Sequence, residues 1–292
     1  MELKLDKNLF SSSWTYFNFG VEKYRPDSCL FSFKSFLHLE PFQYIFDSNK
    51  GFQNYQRTRF FINRFYGVRD RSVFLAAKRL NSFLHISNVL KLAILISGRG
   101  TNMKSILESI HKRYLTGVEV RVVISDNAQA NGLEIAKDFG VRTETLEYPN
   151  IKGWAYDKNL LEVLESYYVS PNDGLICLAG YMRILSHEIV ERYKMHIINI
   201  HPSLLPSFPG LHAQRQALEH GVKVTGCTIH FVEDRVDSGL ILLQQPVRVL
   251  DSDSEETLSE RILIEEHKLY PQAIRLIAEK KISIHDRRVK LI

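Results

Sequence analysis

The segment INIHPSLLPSFPG, Ile198 to Gly210, sets Asn199 and His201 two residues apart at the end of an apolar run of strand length. On a strand that spacing points both side chains to one face. An amide N–H can hold a developing oxyanion, and an imidazole can serve as acid, base or cationic neighbour. Pro202 and Pro206 stiffen the exit, and Ser203 adds a hydroxyl. A second candidate is SGRGTN, Ser97 to Asn102, between an apolar run and a helical pattern. Its small residues permit a tight turn, and amides at a helix N-terminus suit a phosphate. Met103 stands where the last glycine of a dinucleotide fingerprint belongs, and there is no G-x-x-x-x-G-K sequence, so neither nucleotide-binding loop is present. The third is EDRVDSG, Glu233 to Gly239, with three acids after a strand. Folded against the histidine, Asp234 or Asp237 would raise the imidazole's pKa and orient it. Spacing does not choose between them.

These candidates need a scaffold. KLAILIS, VEVRVVISD, VRTETLEY, GLICLAG and MHIINI read as strands, separated by the helical patterns MKSILESIHKRYL, GLEIAKDFG, YDKNLLEVLESYYV and SHEIVERYK. That alternation predicts an α/β fold with a doubly wound, mostly parallel sheet and helices on both faces. TGCTIHFV and ILLQQPVRV, joined by EDRVDSG, predict a hairpin that makes the sheet mixed at one side. In the closing helical pattern SEETLSERILIEEHKLYPQAIRLIAEK, Pro271 is expected to kink or interrupt the helix.

Composition divides the 292 residues at about residue 90. Fourteen of the 17 Phe lie in residues 1–90, with 13 Lys and Arg against 7 Asp and Glu, whereas 25 face 26 from residue 91 on. The basic balance therefore belongs to the first third, and the remainder carries no charge signal for nucleic acid. The stretch 51–90 is basic and Ser-containing, with Asp70 as its one acid, in the manner of an organelle presequence, although 1–50 holds more acids than such leaders usually do. Residues 1–88 are read as a disordered transit peptide and linker, and 89–292 as the catalytic domain. A chloroplast stroma address is expected, with the mitochondrion second. No apolar stretch reaches the roughly 18–20 residues of a spanning helix. Cys29, Cys177 and Cys227 form no C-x-x-C pair, so no zinc site or disulfide framework is expected.

ISGRGTN, LAGYMRILS, INIHPSLLPSFPGLHAQRQALEHG, TGCTIHFVEDRVDSG and EEHKLYP follow one another in that order. Together they resemble the glycinamide ribonucleotide formyltransferase family over roughly residues 91–285, and the leader makes the chain similar to plastid-targeted plant members. The resemblance implies formyl transfer from 10-formyltetrahydrofolate to the primary amine of glycinamide ribonucleotide in purine synthesis, with no metal. It implies a catalytic trio of Asn199, His201 and Asp237, so that the aspartate of VDSG is the relevant one. Gly100, Thr101 and Asn102 would cradle the substrate phosphate, and Glu266 would hold the ribose or amine end. Met182, Arg183, Ile184 and Leu185, with Asn199 and the loop Glu233, Asp234, Arg235, Val236 and Asp237, would line the pterin pocket. Small-molecule substrates are the implied partners, with neither nucleic acid nor membrane, and the protein is expected as a monomer or weak homodimer. Where bacterial members tend to carry a basic residue before AYD, this chain has Gly153 and Trp154, so a contact to the folate tail is either missing or supplied by Lys152.

The rival within this chemistry is a formyltetrahydrofolate deformylase, a hydrolase with a similar Asn-x-His-x-Ser core. It would be expected to carry a second histidine where Pro202 stands. A methionyl-tRNA formyltransferase would add a C-terminal RNA-binding barrel, and a non-enzymatic nucleotide-binding protein would have no use for the trio.

Overall fold

Aliphatic and β-branched runs build a seven-stranded sheet ordered β3-β2-β1-β4-β5-β6-β7. The structure, a computed structural model, describes residues 89–292, so the expected presequence 1–88 lies outside the described residues. The strands are β1 Leu90–Ile96, β2 Val118–Ser125, β3 Thr143–Thr145, β4 Gly174–Leu178, β5 Ile197–His201, β6 Val224–Phe231 and β7 Ile241–Arg248. The helices are α1 Thr101–His111, α2 Asn131–Asp138, α3 Trp154–Ser166, α4 His187–Arg192, α5 Ala213–Glu219 and α6 Glu255–Ala278. Strands β3, β2, β1, β4 and β5 pair in parallel, while β5–β6 and β6–β7 are antiparallel, as the hairpin pattern predicts. The strand order reverses between β1 and β4, the place where open α/β sheets form a crevice beyond their C-terminal ends.

Alternation within each strand divides the core into two layers. Leu92, Ile94 and Ile96 of β1 join α1, α2 and α6 on one face, while Ala93 and Leu95 join α3 and α4 on the other. The first layer continues through Ile198 and Ile200 of β5 to Cys227, Ile229 and Phe231 of β6. The buried side chains of the second stop at Ile197 of β5. Beyond it, on that face, β5 and β6 carry Asn199, His201, Thr228 and His230, and the antiparallel register sets Asn199 opposite His230 and His201 opposite Thr228. Cys177 and Cys227 are fully buried with their thiol pKa values raised by desolvation, as expected of small core residues.

Two features of the C-terminal part differ from the sequence expectations. Helix α6 runs unbroken through Pro271, which is buried together with Leu269, Tyr270, Ala273 and Ile274. Packing on both sides of the proline holds the helix where local propensity would end it. Its start carries a reciprocal cap, with the Ser254 hydroxyl accepting from the Thr257 amide and the Thr257 hydroxyl accepting from the Ser254 amide. After it, Ile282–His285 (β8) and Arg288–Leu291 (β9) form a separate two-stranded hairpin that the sequence reading left without structure.

Tyr270 ties α6 to the sheet directly beneath the crevice. Its buried hydroxyl lies 2.9 Å from the carbonyl of Leu178 and 3.2 Å from that of Ile198. Tyr270→Phe is therefore expected to lower the free energy of urea unfolding by about 1–2 kcal/mol without changing the fold. A variant as stable as the parent would show that these carbonyls gain nothing from the hydroxyl.

Candidate active site

The β5–β6 pair makes the polar floor of the crevice. The Asn199 side-chain nitrogen is 3.2 Å from Nε2 of His230, whose Nδ1 lies 2.9 Å from the Phe231 carbonyl. Nδ1 then carries the proton and Nε2 accepts from the amide, which fixes the orientation of Asn199. His201 places Nε2 2.8 Å from the Phe208 carbonyl and Nδ1 3.3 Å from Oδ2 of Asp237. Asp237, not Asp234, thus faces the imidazole. Its Oδ1 is 3.6 Å from Nε2 of His230, and its Oδ2 accepts the Gly210 N–H at 2.8 Å.

These three side chains are almost fully buried, with 3%, 5% and 8% of His230, His201 and Asp237 exposed, so solvent screens their interactions little. Burial acts to raise the Asp237 pKa. The neighbouring His230 ring, the Gly210 amide and the charge of His201 outweigh it, and the carboxyl is held below its ordinary value. For His201 the balance goes the other way. Burial lowers its pKa more than the Phe208 carbonyl and Asp237 raise it. The expected upward pull from aspartate exists, but desolvation is larger, so the resting imidazole gives up its proton more readily than a free histidine. A negative oxygen arriving beside the ring would reverse that balance.

The exit from β5 is held by Thr228. Its hydroxyl donates to the Ser203 carbonyl at 2.7 Å and accepts from the Leu205 amide at 3.1 Å and from Gln244 at 3.0 Å. Ser203 is itself fully buried and donates to the Ser207 carbonyl at 2.5 Å. The loop that delivers the Phe208 carbonyl and the Gly210 amide is thus fastened by side chains as well as by proline.

At the β1 exit, Gly100 has φ 71 and precedes α1, and a Cβ there would stand 2.6 Å from the Cα of Gly132. Only glycine allows the two loops to approach this closely, and the first-turn amides of α1 are left pointing outward. Asn102 donates to Glu266 Oε2 at 2.7 Å, while the buried Oδ1 of Asn102 has no hydrogen-bond partner among the described residues. Glu266 lies four residues before Tyr270, on the same face of α6. Burial raises its carboxyl pKa, against the opposing effects of Asn102 and Arg99.

The segment Met182–Leu185 is tied to both neighbours. The Met182 amide donates to the Ser97 hydroxyl at 2.9 Å, and the Ser186 amide donates to buried Asp157 at 2.6 Å. Arg183 lies 3.7 Å above the Tyr156 ring and donates to the carbonyls of Tyr148 and Ile151. Leu185 is buried, but Met182 and Ile184 are 68% and 73% exposed, presenting apolar surface to solvent. Val236 of the Glu233–Asp237 loop is half exposed, and Asp234 of that loop meets His187 at 2.9 Å, so the two expected walls of one pocket are joined at the α4 start. Gly153 has φ 57 and Lys152 is exposed, while Lys158 covers the Trp154 ring. His230 and Thr228 were missed as site residues. The signal was available, because both are polar residues on one face of the run TGCTIHFV, two residues apart like Asn199 and His201.

This geometry can hold an anion at α1, steady a negative oxygen with Asn199 and His201, and keep a charged carboxylate behind the imidazole. Because burial raises the Glu266 pKa above 4.5, the folded state binds that proton more tightly than the unfolded one. Its contribution to stability therefore falls as pH rises from the unfolded value through the folded one. Glu266→Gln is expected to gain in urea-unfolding free energy relative to the parent as pH rises from the unfolded carboxyl's value through the raised folded one, and to match it below the unfolded value. A gap that stays constant with pH would contradict this assignment.

A family model described as formyl transferase matches residues 90–274. The chain is 39% identical over 198 residues to the phosphoribosylglycinamide formyltransferase of Escherichia coli, covering 68% of this chain and 91% of that protein. It is 42% identical over 199 residues to the trifunctional purine biosynthetic protein adenosine-3 of Gallus gallus, covering 68% of this chain and 19% of that protein. It spans about a fifth of the length of such trifunctional relatives. The crystal structure of glycinamide ribonucleotide transformylase 1 from Symbiobacterium toebii is similar with a TM-score of 0.66 and 48% identity, over 70% of this chain and 95% of that one. A formyltetrahydrofolate deformylase from Pseudomonas syringae matches with a TM-score of 0.64 but 25% identity, over 69% of this chain and 65% of that one. The chain belongs to the formyl transferase family, with phosphoribosylglycinamide formyltransferases among its relatives.

Proposed function

We propose that the protein transfers the formyl group of 10-formyltetrahydrofolate to the primary amine of glycinamide ribonucleotide, a step of purine biosynthesis. The observation that carries this reading is the Asn199–His201–Asp237 arrangement at the end of β5, where His201 sits 3.3 Å from a carboxylate held in charged form. The amine nitrogen bonds to the formyl carbon, giving a tetrahedral intermediate with a negative oxygen and a positive nitrogen. Asn199 would donate to that oxygen, and the growing negative charge would favour the protonated form of His201, whose positive charge would stand beside it. Asp237 would hold the imidazolium and order a water that carries the proton released by the amine. The bond from carbon to the folate nitrogen then breaks, and that nitrogen takes up a proton. His230 would fix the Asn199 amide.

The first-turn amides after Gly100, with Thr101 and Asn102, suit the ribonucleotide phosphate, and Glu266 suits its ribose or amine end. Met182 to Leu185 and Glu233 to Asp237 would form the two sides of the folate pocket, where exposed apolar groups suit a flat heterocycle. Chemistry of this kind needs no metal. By the same reading the protein acts as a monomer or a weak homodimer. The basic, Ser-containing stretch 51–90 supports a plastid stroma location, with the mitochondrial matrix second.

A formyl-transfer assay with 10-formyltetrahydrofolate, run with and without glycinamide ribonucleotide, tests the reaction. Turnover should require the ribonucleotide, and Asn199→Ala and His201→Ala should each lower kcat by about 10²–10³. Turnover of the folate that ignores the ribonucleotide would mean a deformylase instead, and full activity in both variants would place the chemistry elsewhere.

A further inference from the structure

The C-terminal hairpin lies beyond residue 274, where the match to the family model ends. Strands β8 and β9 pair His285 with Arg288, which leaves Asp286 and Arg287 as the turn. Asp286 takes φ 53 there. From this turn Arg287 reaches the loop between β6 and β7. Its Nη1 and Nη2 stand 3.3 and 3.4 Å from Glu233 Oε2, and Nη2 also donates to the Ser238 carbonyl at 3.0 Å. Glu233 and Ser238 bracket the residues Asp234 to Asp237. One guanidinium therefore closes the two ends of the loop that presents Asp237.

That loop needs outside support. Asp234, Arg235 and Val236 are exposed, and Asp237 sits at φ 52, a left-handed conformation that non-glycine residues hold only where their surroundings impose it. The loop has some internal order, since the Ser238 hydroxyl and amide both donate to the Arg235 carbonyl, at 2.7 and 3.3 Å. Its base is narrow, because a Cβ on Gly239 would fall 1.8 Å from the Phe231 carbonyl oxygen. Beyond these, the side-chain ties from elsewhere among the described residues are the Asp237 contacts themselves, the His187–Asp234 pair and Arg287. An exposed lysine–carboxylate pair would constrain such a loop little. A planar fork that spans a carboxylate and a carbonyl fixes direction as well as distance.

We propose that Arg287 is a positioning residue for formyl transfer, tying the two ends of the Glu233–Ser238 loop together so that Asp237 stays behind His201. The proposal rests on the reaction assigned to this site. Arg287 touches neither His201 nor Asp237, so its effect is indirect and of moderate size.

The test uses the full chain with Arg287→Ala, Arg287→Lys and, as a control on the neighbouring strand residue, Arg288→Ala. Steady-state kinetics across pH would be combined with thermal unfolding and hydrogen exchange of the 233–238 amides. Arg287→Ala should lower kcat by about three- to tenfold, as expected for loss of an exposed but geometrically specific tie. It should also shift the pH dependence of kcat, speed exchange at 233–238 and leave Tm unchanged. Arg287→Lys should restore part of the rate, and Arg288→Ala should match the parent. Parent-like kcat, pH profile and exchange in Arg287→Ala would overturn the proposal, as would a loss that follows a fall in Tm and recurs in Arg288→Ala. If the parent itself shows no ribonucleotide-dependent transfer, the assigned reaction fails. In that case faster exchange at 233–238 in Arg287→Ala still upholds the strap, and unchanged exchange overturns it.

Discussion

The antiparallel pairing of β5 with β6 is the constraint on which the site depends. With a strand period of two, it sets Asn199 against His230 and His201 against Thr228 on one face, and leaves Ile198, Ile200, Ile229 and Phe231 for the core on the other. A slip of one residue would bury the imidazoles among aliphatic side chains and present isoleucine to the crevice. The apolar demand of the core layer therefore holds the register of the polar face. Thr228 extends that control into the next segment, since its hydroxyl fastens the loop that carries Phe208 and Gly210 back toward His201 and Asp237.

Burial has opposite consequences for the two ionisable partners at the centre. Asp237 keeps its charge because His230, Gly210 and His201 together outweigh desolvation, whereas His201 loses part of its basicity because its partners do not. The pair is left with a fixed negative charge behind a ring that is ready to accept a proton when charge develops in front of it. At the other end of the crevice, Glu266 is costly to ionise where it sits, and the amide of Asn102 offsets part of that cost.

Much of this was legible in the chain. Alternating strand and helix patterns gave the doubly wound architecture, and the spacing of Asn199 and His201 gave their common face. The choice between Asp234 and Asp237 was not legible from spacing, because it depends on the left-handed turn at Asp237 and on the loop's close approach to Gly210. That His230 and Thr228 share a polar face was legible in TGCTIHFV, but the pairing of His230 with Asn199 arises from cross-strand register, which a single strand's sequence does not state. Pro271 misled for the same kind of reason, since a local rule about helix interiors was overruled by packing around Tyr270 and Ile274. The short hairpin after α6 has too few residues for periodicity to stand out.

Among the described residues the sheet has two edges, and both are poor templates for another strand. On one side β3 is only three residues long. On the other, β7 contains Pro246, paired with Gly226, and a proline offers no N–H to an incoming chain. At Gly226 a Cβ would stand 2.0 Å from the Gln245 carbonyl oxygen, so β6 and β7 are pressed together where that proline sits. Lateral growth of the sheet is therefore discouraged at each end, and a newly made chain can keep its long aliphatic strands from recruiting their counterparts in other copies.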